Sequence, residues 1–224
     1  MTEEEAAHFL SEARKDPAGL PFVLWLFTGL RPAEFLGLRW PDIELAGEGE
    51  SAYGVLRVRQ TVVRTTGKGW AFYEPKTEAG QRPVYFPAWL YSDLMGHRGR
   101  QERHKREFGD YRDHGLVFAS GNGEPLFRQD LSSRMLKPLL RRAGLSEEFT
   151  PYTLRRTFSS LLRRAGVSAK EVSEQMGHTS PEFTERVYVT VYDSAKREMS
   201  DTLEKLLSAG DGTQLAHNET DKVM

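Results

Sequence analysis

Residues 21–30, PFVLWLFTGL, hold the longest apolar run in the chain. It is too short to span a bilayer, which takes about 20 apolar residues. A segment that is apolar all round, rather than along one stripe, belongs inside a globular core. With 224 residues, the chain is long enough to build that core. Thr28-Gly29 interrupts the buried helix, and Pro32 stands where a helix start favours proline, so a second piece runs on to Leu38. Arg31 sits between the two pieces. An arginine so embedded is costly to bury without a partner, and Glu34, three residues on, is spaced to hold it. Taken alone, Arg31 and Glu34 read as a structural ion pair.

Hydrophobic residues make up 38% and charged residues 28%, which suits a folded chain rather than a disordered one. The absence of cysteine excludes disulfides, thiolate metal sites and cysteine nucleophiles. The first ten residues, MTEEEAAHFL, are acidic and lack a signal-peptide pattern. Net charge is −1, but its distribution is uneven: residues 128–170 carry ten Lys and Arg against three acids. A local basic surface suits a polyanion such as DNA. A set of solvated helix faces explains the same charges equally well.

Thr2 with Glu5 forms a capping box that opens a helix to about Ala13. Leu56, Val58, Gln60 and Val62 alternate with more polar residues as a half-buried strand would. Residues 70–73 and 82–86 read as two more strands, with Lys76 near the tip of the polar turn between them. Residues 89–95 begin a helix, and the polar stretch after it is a solvated helix or a loop. Further helices are expected over residues 129–143, 151–165, 169–176, 181–189 and 194–207. The fold class is α+β, mainly helical with a small three-stranded antiparallel sheet. One domain is expected over residues 1–207, followed by a polar tail over 208–224.

The stretch PYTLRRTFSSLLRRAG, residues 151–166, concentrates the candidate chemistry. Thr150 is a good N-cap and Pro151 a good first residue. Tyr152 and Arg155 lie three apart and share a face in the first turn. Arg155 borders the apolar stripe of Leu154, Phe158, Leu161, Leu162 and Ala165. A helix N-terminus favours anions, and an arginine at the stripe's edge adds to a phosphate cradle. For an isolated helix, a buried ion pair is the commoner arrangement. Ser168 and Glu171 form a capping box, and Gly177 is the C-cap of the helix they open. His178 after it reads by default as a local hydrogen-bonder, Lys76 as an exposed turn lysine, and Tyr188 as a half-buried packing residue. Phosphate-binding glycine loops, His-Glu-x-x-His and Gly-x-Ser-x-Gly are all absent.

In order, TGLRPAE, EPKTEAGQRPVYFP, YTLRRTF and MGHTSPEFTERVY resemble the successive motifs of the tyrosine recombinase (phage integrase) catalytic domain. The resemblance runs from about Thr2 to Leu207. It implies that Arg31 and Arg155 are the two catalytic arginines and that Glu34 supports the first. By the same resemblance Lys76 is the hairpin lysine, His178 occupies the His/Trp position, and Tyr188, ten residues beyond His178, is the nucleophile. Tyr152 stands where the family usually has a histidine. A neutral phenol donates hydrogen bonds but is a poor base at pH 7.

The implied activity is cleavage and rejoining of DNA through a 3′-phosphotyrosine link, without cofactor, metal or ATP. The implied partner is double-stranded DNA, with a homotetramer on synapsed sites and a monomer or weak oligomer when free. The implied location is the cytoplasm, on DNA. The family usually has a helical DNA-binding domain ahead of the catalytic one, so the chain is expected to be a catalytic fragment. Two alternatives use the same fold: a catalytically impaired DNA-binding or regulatory module, and a relaxing enzyme of the type IB topoisomerase kind.

Overall fold

Helix α1, Glu3–Ala13, opens on the expected capping box: the Glu5 amide donates to Thr2 Oγ1 at 3.1 Å, and the Thr2 amide donates to Glu5 Oε2 at 2.7 Å. The computed structural model describes residues 1–65, 67–75 and 80–177. Lys76, His178, Tyr188 and the helices expected over 181–189 and 194–207 lie outside them, as does the expected domain end at Leu207. No helix among the described residues is long and apolar enough to cross a membrane.

Helix α2, Leu20–Thr28, is the apolar run, and nearly all of its side chains are buried. Trp25 stacks on Phe35 at 4.2 Å between ring centres, and Phe35 stacks on Phe118 at 5.1 Å. Gly29 ends α2 in the left-handed region, at φ 57°, and its amide donates to the Trp25 carbonyl at 2.9 Å. The Trp25 indole N–H donates to the Leu30 carbonyl at 2.7 Å, which pins the loop leading to Arg31. Helix α3, Pro32–Leu36, follows directly.

The sheet is divided differently from the expected three strands. Strands β1 (Ile43–Ala46) and β2 (Tyr53–Arg57) pair antiparallel. Strands β3 (Thr61–Thr65) and β4 (Gly69–Tyr73) form a separate two-stranded hairpin. Strand β5 (Pro83–Pro87) returns beside β2 and completes a three-stranded antiparallel sheet in the order β1-β2-β5. The alternating stretch from Leu56 to Val62 is therefore two strands, not one. Arg57 faces Pro83, and the Val58 amide still donates to the Arg82 carbonyl at 2.9 Å before the chain leaves the sheet. Strand β1, with an intermediate-exposed-exposed-intermediate burial pattern, carries no alternation that would have marked it.

Leu56, Val84 and Phe86 face the core together with Leu90 and Leu94 of helix α4, Ala88–Glu107. The stretch left open as helix or loop is helical to Glu107. Gln101 anchors its polar half, accepting from the Trp40 indole at 2.6 Å and donating to the Leu116 carbonyl at 3.1 Å. The region expected as one helix over 129–143 is α5 (Arg128–Asp130), a π-helical segment (Leu131–Leu136) and α6 (Lys137–Arg142) in succession. Pro138 cannot donate to the turn before it, and the wider π turn absorbs that mismatch. Helices α7 (Pro151–Arg164) and α8 (Ala169–Met176) match the expected helices closely, with Thr150, Ser168 and Gly177 as their caps.

Gly29 is where α2 meets α7. A Cβ there would lie 2.5 Å from the Phe158 ring, and the backbone conformation is one that only glycine adopts cheaply. Gly29→Ala is expected to lower stability by about 2–4 kcal/mol through backbone strain and overpacking together. Chemical denaturation of the two proteins at neutral pH measures the difference.

Candidate active site

Arg31, Glu34 and Arg155 converge on one place near Gly29. Arg31 is the N-cap of α3, and its amide donates to Glu34 Oε2 at 2.9 Å. Its guanidinium donates from Nη1 to Glu34 Oε1 at 2.9 Å and from Nη2 to the Gly177 carbonyl. Arg155, in the first turns of α7, is 3% exposed. It donates from Nη1 to the Gly29 carbonyl and from Nη2 to the Met176 carbonyl at 3.1 Å. Arg155 points inward and ties the C-terminal end of α2 to that of α8.

A third arginine joins them. Arg82, just before β5, donates to both oxygens of Glu34, at 3.2 Å from Nη1 and 3.0 Å from Nη2. Its Nε donates to the Gln175 carbonyl at 2.7 Å, and Nη1 also reaches the Gly80 carbonyl at 3.3 Å. The three guanidiniums thus take three successive carbonyls, Gln175, Met176 and Gly177. A helix leaves its last carbonyls without partners, and the dipole makes that end attractive to cations. Sequence reasoning missed Arg82. It stands at the start of an alternating strand with its partner 48 residues away, and no local pattern marks it.

Glu34 is buried between Arg31 and Arg82. Burial alone pushes its carboxyl up, but the hydrogen bonds and charges of Arg82, then those of Arg31, outweigh this and hold it below the usual carboxylate range. The Arg155 guanidinium is brought down to about 10, first by burial and then by the charge of Arg31. It remains protonated at neutral pH. Among the described residues the centre holds three guanidiniums around one carboxylate, so it is strongly cationic. Arg31 is the open side of it: its side chain is 40% exposed, against 7% for Arg82.

Tyr152 lies on the first turn of α7, near Arg155, and is 48% exposed. The structure therefore brings together Arg31, Glu34 and Arg155, with Tyr152 at the side. Lys76, His178 and Tyr188 lie outside the described residues, although Arg31 holds the carbonyl of Gly177, directly before His178. The basic block over 128–170 is less bare than its composition implies. Arg134, Arg141, Arg142 and Lys170 each have a carboxylate partner, and those of Arg142 and Lys170, Asp16 and Glu174, lie outside the block. Such exposed pairs contribute little to stability, but they reduce the local charge. Among the described residues no group of three or more His, Asp or Glu is arranged to hold a metal.

The mainly helical body with its small antiparallel sheet has the fold of the tyrosine recombinase catalytic domains. The chain belongs to the tyrosine recombinase (phage integrase) family. Residues 90–195 match the model of the phage integrase family. A tyrosine recombinase XerC-like protein of Caldanaerobacter subterraneus subsp. tengcongensis is 32% identical over 83% of this chain and 48% of its own length. The transposase from transposon Tn916 of Enterococcus faecalis is 28% identical over 89% of this chain and 50% of its own. The chain spans about half the length of these curated relatives. Among solved structures, the Tn1549 transposon integrase in complex with transposon right end DNA superposes with a TM-score of 0.67 at 26% identity, covering 90% of this chain and 65% of that one.

Removing the carboxylate tests what holds the centre. Glu34→Gln leaves the buried Arg82 charge without its partner and is expected to cost about 3–5 kcal/mol at pH 7. The sign of the pH dependence follows from the lowered pKa of Glu34. Its stabilisation is complete above the unfolded value of about 4.3 and is lost as pH falls through the lower folded value. The gap between wild type and Glu34→Gln is therefore expected to narrow below about pH 4. Urea unfolding at pH 7 and pH 3 measures it.

Proposed function

We propose that the chain is the catalytic domain of a site-specific DNA recombinase, in which Arg31 and Arg155 receive the scissile phosphate and Tyr188 attacks it. The observation that carries this reading is the arginine cluster on the end of α8. Arg31 uses two N–H groups of its guanidinium on Glu34 and Gly177 and keeps an exposed edge. Planar guanidiniums pair with phosphate oxygens through parallel N–H bonds, and the charge that develops on a five-coordinate phosphorus needs donors fixed in advance.

In this reading the Tyr188 oxygen bonds to phosphorus as the P–O5′ bond breaks, and the phenol proton is released. Lys76 donates a proton to the leaving 5′-oxygen. His178 and Tyr152 donate hydrogen bonds to the non-bridging oxygens, and Glu34 keeps Arg31 in place. The 3′-phosphotyrosine link conserves the bond energy, so a 5′-hydroxyl attacks it in turn without ATP. The charge stabilisation falls to side chains, and we propose chemistry that needs no metal. The proposed partner is double-stranded DNA, and the solved Tn1549 integrase is in complex with transposon right end DNA. The active assembly proposed is a homotetramer on two synapsed sites, formed from a free monomer or weak oligomer. Residues 1–207 form the catalytic unit of this proposal.

Tyr188 and Tyr192 are four apart, so a continuous helix would bring both to one face. On a nicked suicide duplex, Tyr188→Phe is expected to abolish the covalent adduct and Tyr192→Phe to keep it. The wild-type adduct is expected to form in EDTA. Peptide mapping that places the link on Tyr192, or a strict magnesium requirement, would overturn the corresponding step.

Tyr152 is assigned as a donor and not a base. Tyr152→Phe is expected to slow cleavage by up to about 10²–10³-fold, the usual cost of losing one preorganised donor. Tyr152→His is expected to keep or raise the rate. Single-turnover cleavage at saturating DNA reads both.

A further inference from the structure

The centre contains one arginine whose bonding is unlike that of the other two. Arg82 makes four hydrogen bonds, to Glu34 twice, to Gln175 and to Gly80, and its side chain is 7% exposed. Four of its five side-chain N–H groups are engaged, and two of those bonds hold the Glu34 carboxylate. Arg31 is 40% exposed, and two of its side-chain N–H groups are engaged among the described residues. We propose that Arg82 is a positioning residue: it holds the Glu34 carboxylate and the end of α8 in the one arrangement that leaves the outer edge of Arg31 open to phosphate.

The geometry supplies the reason. Each Glu34 oxygen serves both arginines. Oε1 accepts from Arg31 Nη1 at 2.9 Å and Arg82 Nη1 at 3.2 Å, while Oε2 accepts from the Arg31 amide at 2.9 Å and Arg82 Nη2 at 3.0 Å. The two-pronged grip of Arg82 fixes the plane of the carboxylate. Without it, a buried carboxylate keeps only Arg31 as a partner, and its strongest alternative is to turn and take two N–H groups of that guanidinium. Arg31 would then swing from Gly177 or give up an outward N–H. Arg82 also grips Gln175, two residues before the carbonyl that Arg31 holds. It thereby registers α8 against the start of β5. Lysine offers a point charge in place of a planar fork and cannot hold both oxygens and the carbonyl at once.

The inference rests on the phosphate-binding reading of Arg31, so its test has one arm that needs catalysis and one that does not. In the first, Arg82→Lys and Arg82→Gln are compared with wild type in the full chain on a nicked duplex. Single-turnover cleavage is expected to fall by about 10–100-fold, the usual effect of losing the outer partner of a working side chain. DNA affinity is expected to stay within about twofold, because Arg82 itself does not meet the phosphate. The acid limb of the cleavage pH profile is expected to move upward, since Glu34 loses the cation that lowers it most. A residue needed only for packing would not move that limb.

In the second arm, the ¹⁵N signals of the two Arg31 Nη groups are recorded without DNA. They are expected to be separate in wild type and merged by rotation about the guanidinium bonds in both variants. Cleavage by Arg82→Lys at the wild-type rate, or unchanged Arg31 signals, overturns the proposal. Failure of both variants to fold also counts against it, since Arg82 would then be a residue the fold itself requires. If wild type forms no adduct, the recombinase reading falls, and the Arg31 signals alone decide the role of Arg82.

Discussion

The end of helix α8 is the point on which the rest of the centre depends. Three successive carbonyls, Gln175, Met176 and Gly177, each accept from a different arginine. Those arginines come from the start of β5, from α7 and from the junction of α2 with α3. A helix end with unpaired carbonyls carries partial negative charge, which makes it one of few places where several guanidiniums can be drawn together with a single carboxylate. Glu34 then divides its two oxygens between Arg31 and Arg82 and sets their angle.

This arrangement carries an electrostatic cost that fits its proposed use. Arg155 is buried beside Arg31, and both effects weaken its hold on its proton. It donates to the carbonyls of Gly29 and Met176, and the charge of Glu34 acts on it as well. Two helix ends partly offset the buried charge. A phosphate diester entering on the open side of Arg31 would offset more of it, and the gain would be largest when the phosphorus carries its greatest charge. Among the described residues its guanidiniums outnumber its carboxylate, and such a centre suits an anion.

Parts of this were legible in the chain as written. The capping boxes of α1 and α8, the threonine cap of α7 and the left-handed Gly177 were readable because their partners lie within a few residues. The Arg31-Glu34 pair was readable for the same reason. Arg82 was not, because its meaning lies in contacts with Glu34 and Gln175, remote in sequence. Nor was the inward course of Arg155, since helical spacing places a side chain on a face but does not say what that face meets. The single strand expected from Leu56 to Val62 is two, because alternation persists across residues 58–60, where the chain passes from β2 to the separate hairpin that β3 opens.

The amino-acid sequence by itself determined the helices, their caps, the buried status of α2 and the order of the four family motifs. These depend on local periodicity and on residues within one or two turns. The tertiary structure alone decided that the carbonyls closing α8 would become the meeting place of Arg31, Arg82 and Arg155. It also decided that Glu34 would serve two of them. Hydrogen bonds between guanidiniums and carbonyls at separations of 21 to 146 residues leave no periodic trace in the chain. They exist only because packing α2 against α7 through Gly29 brings two helix ends within reach of the same cations.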